Sequence, residues 1–208
     1  MTTSPRSHIA QTLVTLAFAL LALPLAAHAE IPAAKDQIAG AVSPAPEGLQ
    51  EGATVLGYAA DTKGLVPLRQ GDGDLICLAD DPSDERFHAA CYFKALEPFM
   101  ARGRALRAEG KKRDEVLATR AAEIKSGKIE MPPHSALYSL TGPVDSFDPT
   151  TGQVTGANRT TVVYLPYATA ETTGLSPKPA VGAPWIMSPG EPWAHIMLVH
   201  PAEKAEGE

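Results

Sequence analysis

Two blocks of short apolar runs, each cut by turn-forming residues, flank one long helical stretch, and this arrangement limits the folds open to the chain. The first block is residues 54–59, 65–69 and 74–78, separated by Asp61-Thr-Lys-Gly64 and Gly71-Asp-Gly73. Gly and Asp tolerate the positive backbone angles of tight turns, so the block reads as an antiparallel meander. Pro67 has no N–H to give to a ladder, which puts the middle run at a sheet edge or a bulge. The second block, residues 136–140, 160–165 and 194–199, is joined by loops rich in Gly, Pro, Asp and Thr. Helices inserted between two strand blocks predict an α+β domain: an antiparallel sheet of about six strands with two to three helices packed on one face.

The helical stretch opens on Asp81-Pro-Ser-Asp84, which combines an N-cap residue, a proline suited to the first helical position and an early acid. Phe87, Cys91, Ala95 and Phe99 follow at steps of four, tracing one apolar face. Pro98 is expected to kink or break this helix, and Gly110 to end its second piece. A further helix is predicted over 114–126, with Val116, Leu117, Ala121 and Ile124 inward and Gly127 as its stop.

The 208-residue chain divides by composition. Residues 1–29 carry Arg6, an apolar run over 13–25 and Ala27-His-Ala29, the pattern of a secretory signal peptide cleaved after Ala29. The run is too short to span a bilayer, and no later segment reaches the roughly 20 apolar residues a membrane helix needs, so no transmembrane segment is expected after cleavage. Export to a periplasmic or extracellular space follows. Residues 30–52, rich in Ala, Pro and Gly, are expected as a flexible N-terminal arm with room for a short helix over 33–39. Residues 53–200 form the single α+β domain, and 201–208 a solvated tail.

The chain has two cysteines, Cys77 and Cys91. In an oxidising compartment this lone pair is most simply a disulfide, here expected to pin the first helix to the third strand. His88 and Cys91, three apart on that helix, could share a metal with Cys77, but no zinc-type spacing completes the set. No metal and no cofactor are expected.

Both tryptophans lie in residues 183–199. Strand alternation puts Trp193, His195, Met197 and Val199 on one face, and Ala194, Ile196 and Leu198 on the other. One reading is packing, with the aliphatic face against the helices and the mixed face under the preceding loop. The other is a pocket built from Trp185, Met187, Trp193, His195 and Met197, since binding sites are mostly apolar with a few placed polar groups. His195 is also the candidate general base, with Ser135, Ser139 or Ser188 and Asp145 or Asp148 as partners that only geometry could assemble.

Charge is uneven. Residues 94–128 hold ten Lys or Arg against five acids in a chain of net charge −6. Such a region can be a solvated helix face or can steer an anionic envelope partner. An acidic exported chain is not expected to bind nucleic acid. The expected function is non-catalytic binding of a small apolar ligand or an envelope partner, the alternative being a small secreted hydrolase-like enzyme using His195.

Overall fold

A computed structural model describes residues 1–2, 30–60, 62 and 64–202. The expected signal peptide and C-terminal tail fall almost wholly outside the described residues. In chain order the elements are α1 (Ala34–Val42), α2 (Glu47–Gln50), β1 (Thr54–Gly57), β2 (Val66–Arg69), β3 (Leu75–Leu78) and β4 (Arg86–Phe93). A 3₁₀ turn (Lys94–Leu96) leads into α3 (Glu97–Ala108) and α4 (Arg113–Lys125). Then come β5 (Ser135–Pro143), β6 (Phe147–Asp148), β7 (Gln153–Val154), β8 (Asn158–Tyr164), α5 (Ala170–Thr173), β9 (Trp185–Met187) and β10 (His195–His200). Among the described residues, eight strands form one sheet in the order β2-β1-β3-β4-β5-β8-β10-β9, and β6 and β7 make a separate hairpin. The fold is α+β, as expected, with more strands and helices than the sequence indicates.

The first block is not a meander. β2 pairs antiparallel to β1, but β3 returns on the other side of β1 and runs parallel to it. The five residues between β2 and β3 therefore cross the start of β1. Gly71 and Gly73 allow the crossing: a Cβ on Gly71 would lie 2.2 Å from the Gly52 carbonyl oxygen, and the Gly73 N–H donates to that oxygen at 2.8 Å. These glycines serve close approach rather than a hairpin turn. Pro67 does lie on an edge strand.

The helix expected to open at Asp81 is instead a turn followed by β4. A step of four is also an even step, so Phe87 and Cys91 share a face of a strand as readily as of a helix. Ala90 and Tyr92 on its other face are buried too, which hides the polar alternation that would mark a strand. Asp81-Pro-Ser-Asp84 is a turn in which the Asp81 carboxylate accepts from the Ser83 N–H and hydroxyl. Pro98 sits in the first turn of α3, where its missing N–H costs nothing, so it starts the helix rather than breaking it. Both expected stops hold: Gly110 and Gly127 adopt positive φ, and the Lys111 and Lys128 N–H groups reach back to the Leu106 and Glu123 carbonyls.

Nor do the helices share one face. Val55, Leu75, Cys77 and Cys91 pack under α1, whereas Ile76, Tyr92 and Leu137 pack under Leu96 and Met100 on the opposite side. Where a flexible arm is expected, α1 lies tightly on the sheet. Ala41 is fully buried, Gly40 leaves room for the Phe147 ring, and Gln37 exchanges hydrogen bonds with the Tyr58 backbone at 2.8 and 3.0 Å.

The disulfide forms, but between strands rather than from helix to sheet. Cys77 and Cys91 are directly opposed on β3 and β4, with Cα atoms 4.0 Å apart and no solvent exposure. Replacing both by Ala is expected to lower unfolding free energy by about 3 kcal/mol in denaturant melts. Gly71→Ala is expected to lower it by roughly 1–3 kcal/mol through overpacking. Gly48→Ala, where an added methyl meets nothing within 4 Å, serves as the control.

Candidate functional site

α3 and α4 form a hairpin over the Tyr92 face of the sheet. Glu123 of α4 accepts from Arg102 of α3 at 2.8 Å and from Lys128 beyond the α4 terminus at 2.6 Å. Glu115 accepts the Lys112 N–H at the start of α4, satisfying a donor that the helix leaves free. Between the helices lies the Arg120 guanidinium, 3.8 Å above the Phe99 ring, in space left by Gly103, where a Cβ would come within 2.9 Å of its Nη1. Gly103 thus acts as a seat for an arginine.

Below the hairpin, strand register aligns three side chains. Tyr164 of β8 stands opposite His195 of β10, and His195 opposite Met187 of β9. Residues directly opposed across antiparallel strands share a face, so the three form a row. The rings of Tyr164 and His195 lie 5.1 Å apart, and Phe99 meets Tyr164 edge-on at 6.2 Å. Hairpin and row enclose a cleft of about 480 Å³. Phe99, Tyr164, Met187 and Trp193 supply its apolar wall, with Val116 and Leu117 of α4 at one side. Arg107, Lys111, Arg113 and Arg120 also line it, and no carboxylate does among the described residues.

The titrations reflect this setting. Burial pushes the Arg120 guanidinium down to about 10; Tyr164 opposes this, and the like charge of Arg107 adds to it. Burial pushes Tyr164 up to about 12 against the pull of Arg120. His195 is held below its ordinary value, chiefly by burial and despite the bond from its ring to a carbonyl. That bond joins Nδ1 to the Trp193 oxygen at 2.7 Å. Because a carbonyl only accepts, Nδ1 carries the proton and neutral His195 keeps its Nε2 lone pair. Ser188, on the cleft rim, has a φ of 53°, a left-handed conformation that costs a non-glycine residue energy.

Of the residues singled out from sequence, Met187, Trp193 and His195 meet at the cleft. Trp185 and Met197 pair with each other one step along the strands, next to Val162, outside the cleft lining. The mixed face is the one turned toward the α3–α4 hairpin, and on the other face Ile186 and Ala194 are fully buried. Both tryptophans are half-buried. Ser135 lies in the same row as His195 but with Tyr164 between them, two strand spacings or about 10 Å away. The Asp148 carboxylate is taken up by its own turn, accepting from Thr150 and Thr151. Among the described residues no serine or carboxylate is hydrogen-bonded to His195. Arg107 and Arg120 fall within the basic 94–128 region and Phe99 on an apolar face in the sequence reading, but neither these three nor Tyr164 is expected there to join His195. Arg120 carried a signal: it lies four residues from both Val116 and Ile124, on the stripe predicted to face inward.

Because the folded pKa of His195 lies below the ordinary 6.5, the unfolded chain takes up this proton first as pH falls. Its contribution is fully present above about pH 6.5 and is lost as pH falls toward the folded value. Melting temperature should therefore drop more steeply between about pH 7.5 and pH 5 in the native chain than in His195→Gln. Parallel curves would show that His195 titrates as it does in the unfolded chain.

No family model matches the chain, and no curated protein or solved structure was found to be similar to it.

Proposed function

We propose that the protein is an exported, non-catalytic binder of a small molecule with an apolar body, seated in the cleft between the α3–α4 hairpin and the β8–β10–β9 end of the sheet. The observation that carries this reading is the cleft itself. Its volume falls in the roughly 300–1,000 Å³ range of small-ligand sites, and its wall of Phe99, Tyr164, Met187 and Trp193 suits an apolar body. Export is supported by the disulfide, which fits an oxidising compartment. Among the described residues no helix is long and apolar enough to cross a membrane.

Docking of the basic region on a broad anionic envelope surface has less support. Arg102, Arg104, Lys111 and Lys128 are each paired with an acid of the same helical region, so much of its charge is already answered. One observation favours a second reading, a small enzyme using His195 as a base: the Trp193 carbonyl holds the ring with its Nε2 lone pair unprotonated in the neutral form.

The two tryptophans allow a direct test, since Trp193 lines the cleft and Trp185 does not. A library of small apolar compounds screened by intrinsic fluorescence should yield ligands that quench the native chain and Trp185→Phe but not Trp193→Phe. Quenching that survives Trp193→Phe would place the ligand elsewhere and sink the reading. His195→Gln is expected to keep binding; turnover of a bound compound that this variant abolishes would establish the enzyme instead.

A further inference from the structure

We propose that the ligand of this cleft carries an oxyanion, a carboxylate or a phosphate, clamped by Arg120 and Arg107 while its apolar body lies along Phe99, Tyr164 and Trp193. The inference rests on the cleft being the binding site and adds the chemical class of what it holds.

Glu97 pairs with Arg104, Glu115 with Lys111, and Glu123 with both Arg102 and Lys128, while Glu109 lies 3.7 Å from Arg102. The hairpin's glutamates are thus committed away from the cleft. Arg107, Arg113 and Arg120 line the cleft with no ion-pair partner among the described residues.

Arg120 is the one of these three that is buried. It is only 9% exposed, its Nε is buried without a hydrogen-bond partner among the described residues, and its Nη1 reaches only the neutral Phe99 carbonyl at 3.3 Å. A buried cation in this state is costly unless something supplies the missing charge and acceptors. Arg107 compounds the cost. The Nη1 atoms of Arg107 and Arg120 both lie within 3.5 Å of the point that a Gly103 Cβ would occupy, so two like charges are held together at the cleft wall. A guanidinium presents a planar fork of N–H donors that matches a carboxylate or phosphate with two parallel bonds, and two such forks facing one space form a seat for an oxyanion. The aromatic wall beside that seat distinguishes an organic anion from a free inorganic one.

Decanoate, decyl phosphate, decanol and inorganic phosphate, each kept below any micelle-forming concentration, supply the test by titration against Trp193 fluorescence and calorimetry. Decanoate or decyl phosphate should bind at least about tenfold more tightly than decanol, and more weakly as salt rises. The stronger of the two identifies the headgroup, and inorganic phosphate alone should bind weakest. Arg107→Gln, a change at an exposed position, should weaken the anions about tenfold and leave decanol unchanged. Arg120→Met should lose the anion preference while raising the melting temperature of the free protein, because it removes an unanswered buried charge; an arginine with only a structural role would lower it. Should Arg120→Met fail to fold, Arg107→Gln still decides the matter. Equal binding of decanol and decanoate with the Trp193 response intact, or anion binding indifferent to Arg107→Gln, overturns the oxyanion while leaving the cleft a binding site. No Trp193 response to any of the four compounds overturns both.

Discussion

The cleft depends on one guanidinium. Arg120 lies against the Phe99 ring in the gap left by Gly103, and it does so without a carboxylate. A few residues along the same helix, Glu123 shows how the fold handles charge when only cohesion is required: it is ringed by Arg102 and Lys128. An apolar side chain at position 120 would cement α3 to α4 without the desolvation cost of a lone cation. Packing alone therefore does not account for a charge at this position.

The two faces of the sheet are covered by different helices. On one, α1 packs on Val55, Leu75 and the disulfide through Ala41 and Val42. On the other, Leu96 and Met100 pack on the centre of the sheet, and Phe99 meets Tyr164 of β8. Beyond Tyr164, His195 of β10 and Met187 of β9 share the cleft with Val116 and Leu117 of α4. His195, Met187 and Trp193 are half-buried, a state neither of core nor of free surface and typical of a lining.

How much of this was legible in the sequence varied with the physics behind each signal. Proline and glycine spoke clearly where they act locally: Pro67 marked an edge, and Gly110 and Gly127 ended helices. Pro98 was misread because the same residue breaks a helix interior and suits a first turn; only the position of the start decides. Phe87 and Cys91 were ambiguous because a spacing of four satisfies both helical and strand periods, and burial on both faces of β4 erased the alternation that would have separated them. Small residues in α1 resembled a flexible arm, although its Ala41 and Val42 pack on the sheet. At the site, local alternation groups Trp193 with His195, while Met187 follows only from its nearness in sequence, and Met197, on the same alternating face, lies outside the cleft. Their meeting with Arg107 and Arg120 could not, since it depends on how a hairpin folds across strands far away in sequence.

The crossing of residues 70–74 over β1 has a consequence for how copies of the chain meet one another. Had the first block been a meander, the apolar β1 would have formed the border of the sheet, with its N–H and C=O groups open to any passing strand. By tucking β3 alongside it, the chain moves β1 inside and leaves β2 as the outer strand, where Pro67 removes a donor and only four residues are available. At the far border β9 is three residues long, and its Ile186 N–H is already given to the Ser176 carbonyl. Both borders are thus poor templates for strand addition, which guards a concentrated solution of this protein against edge-to-edge aggregation.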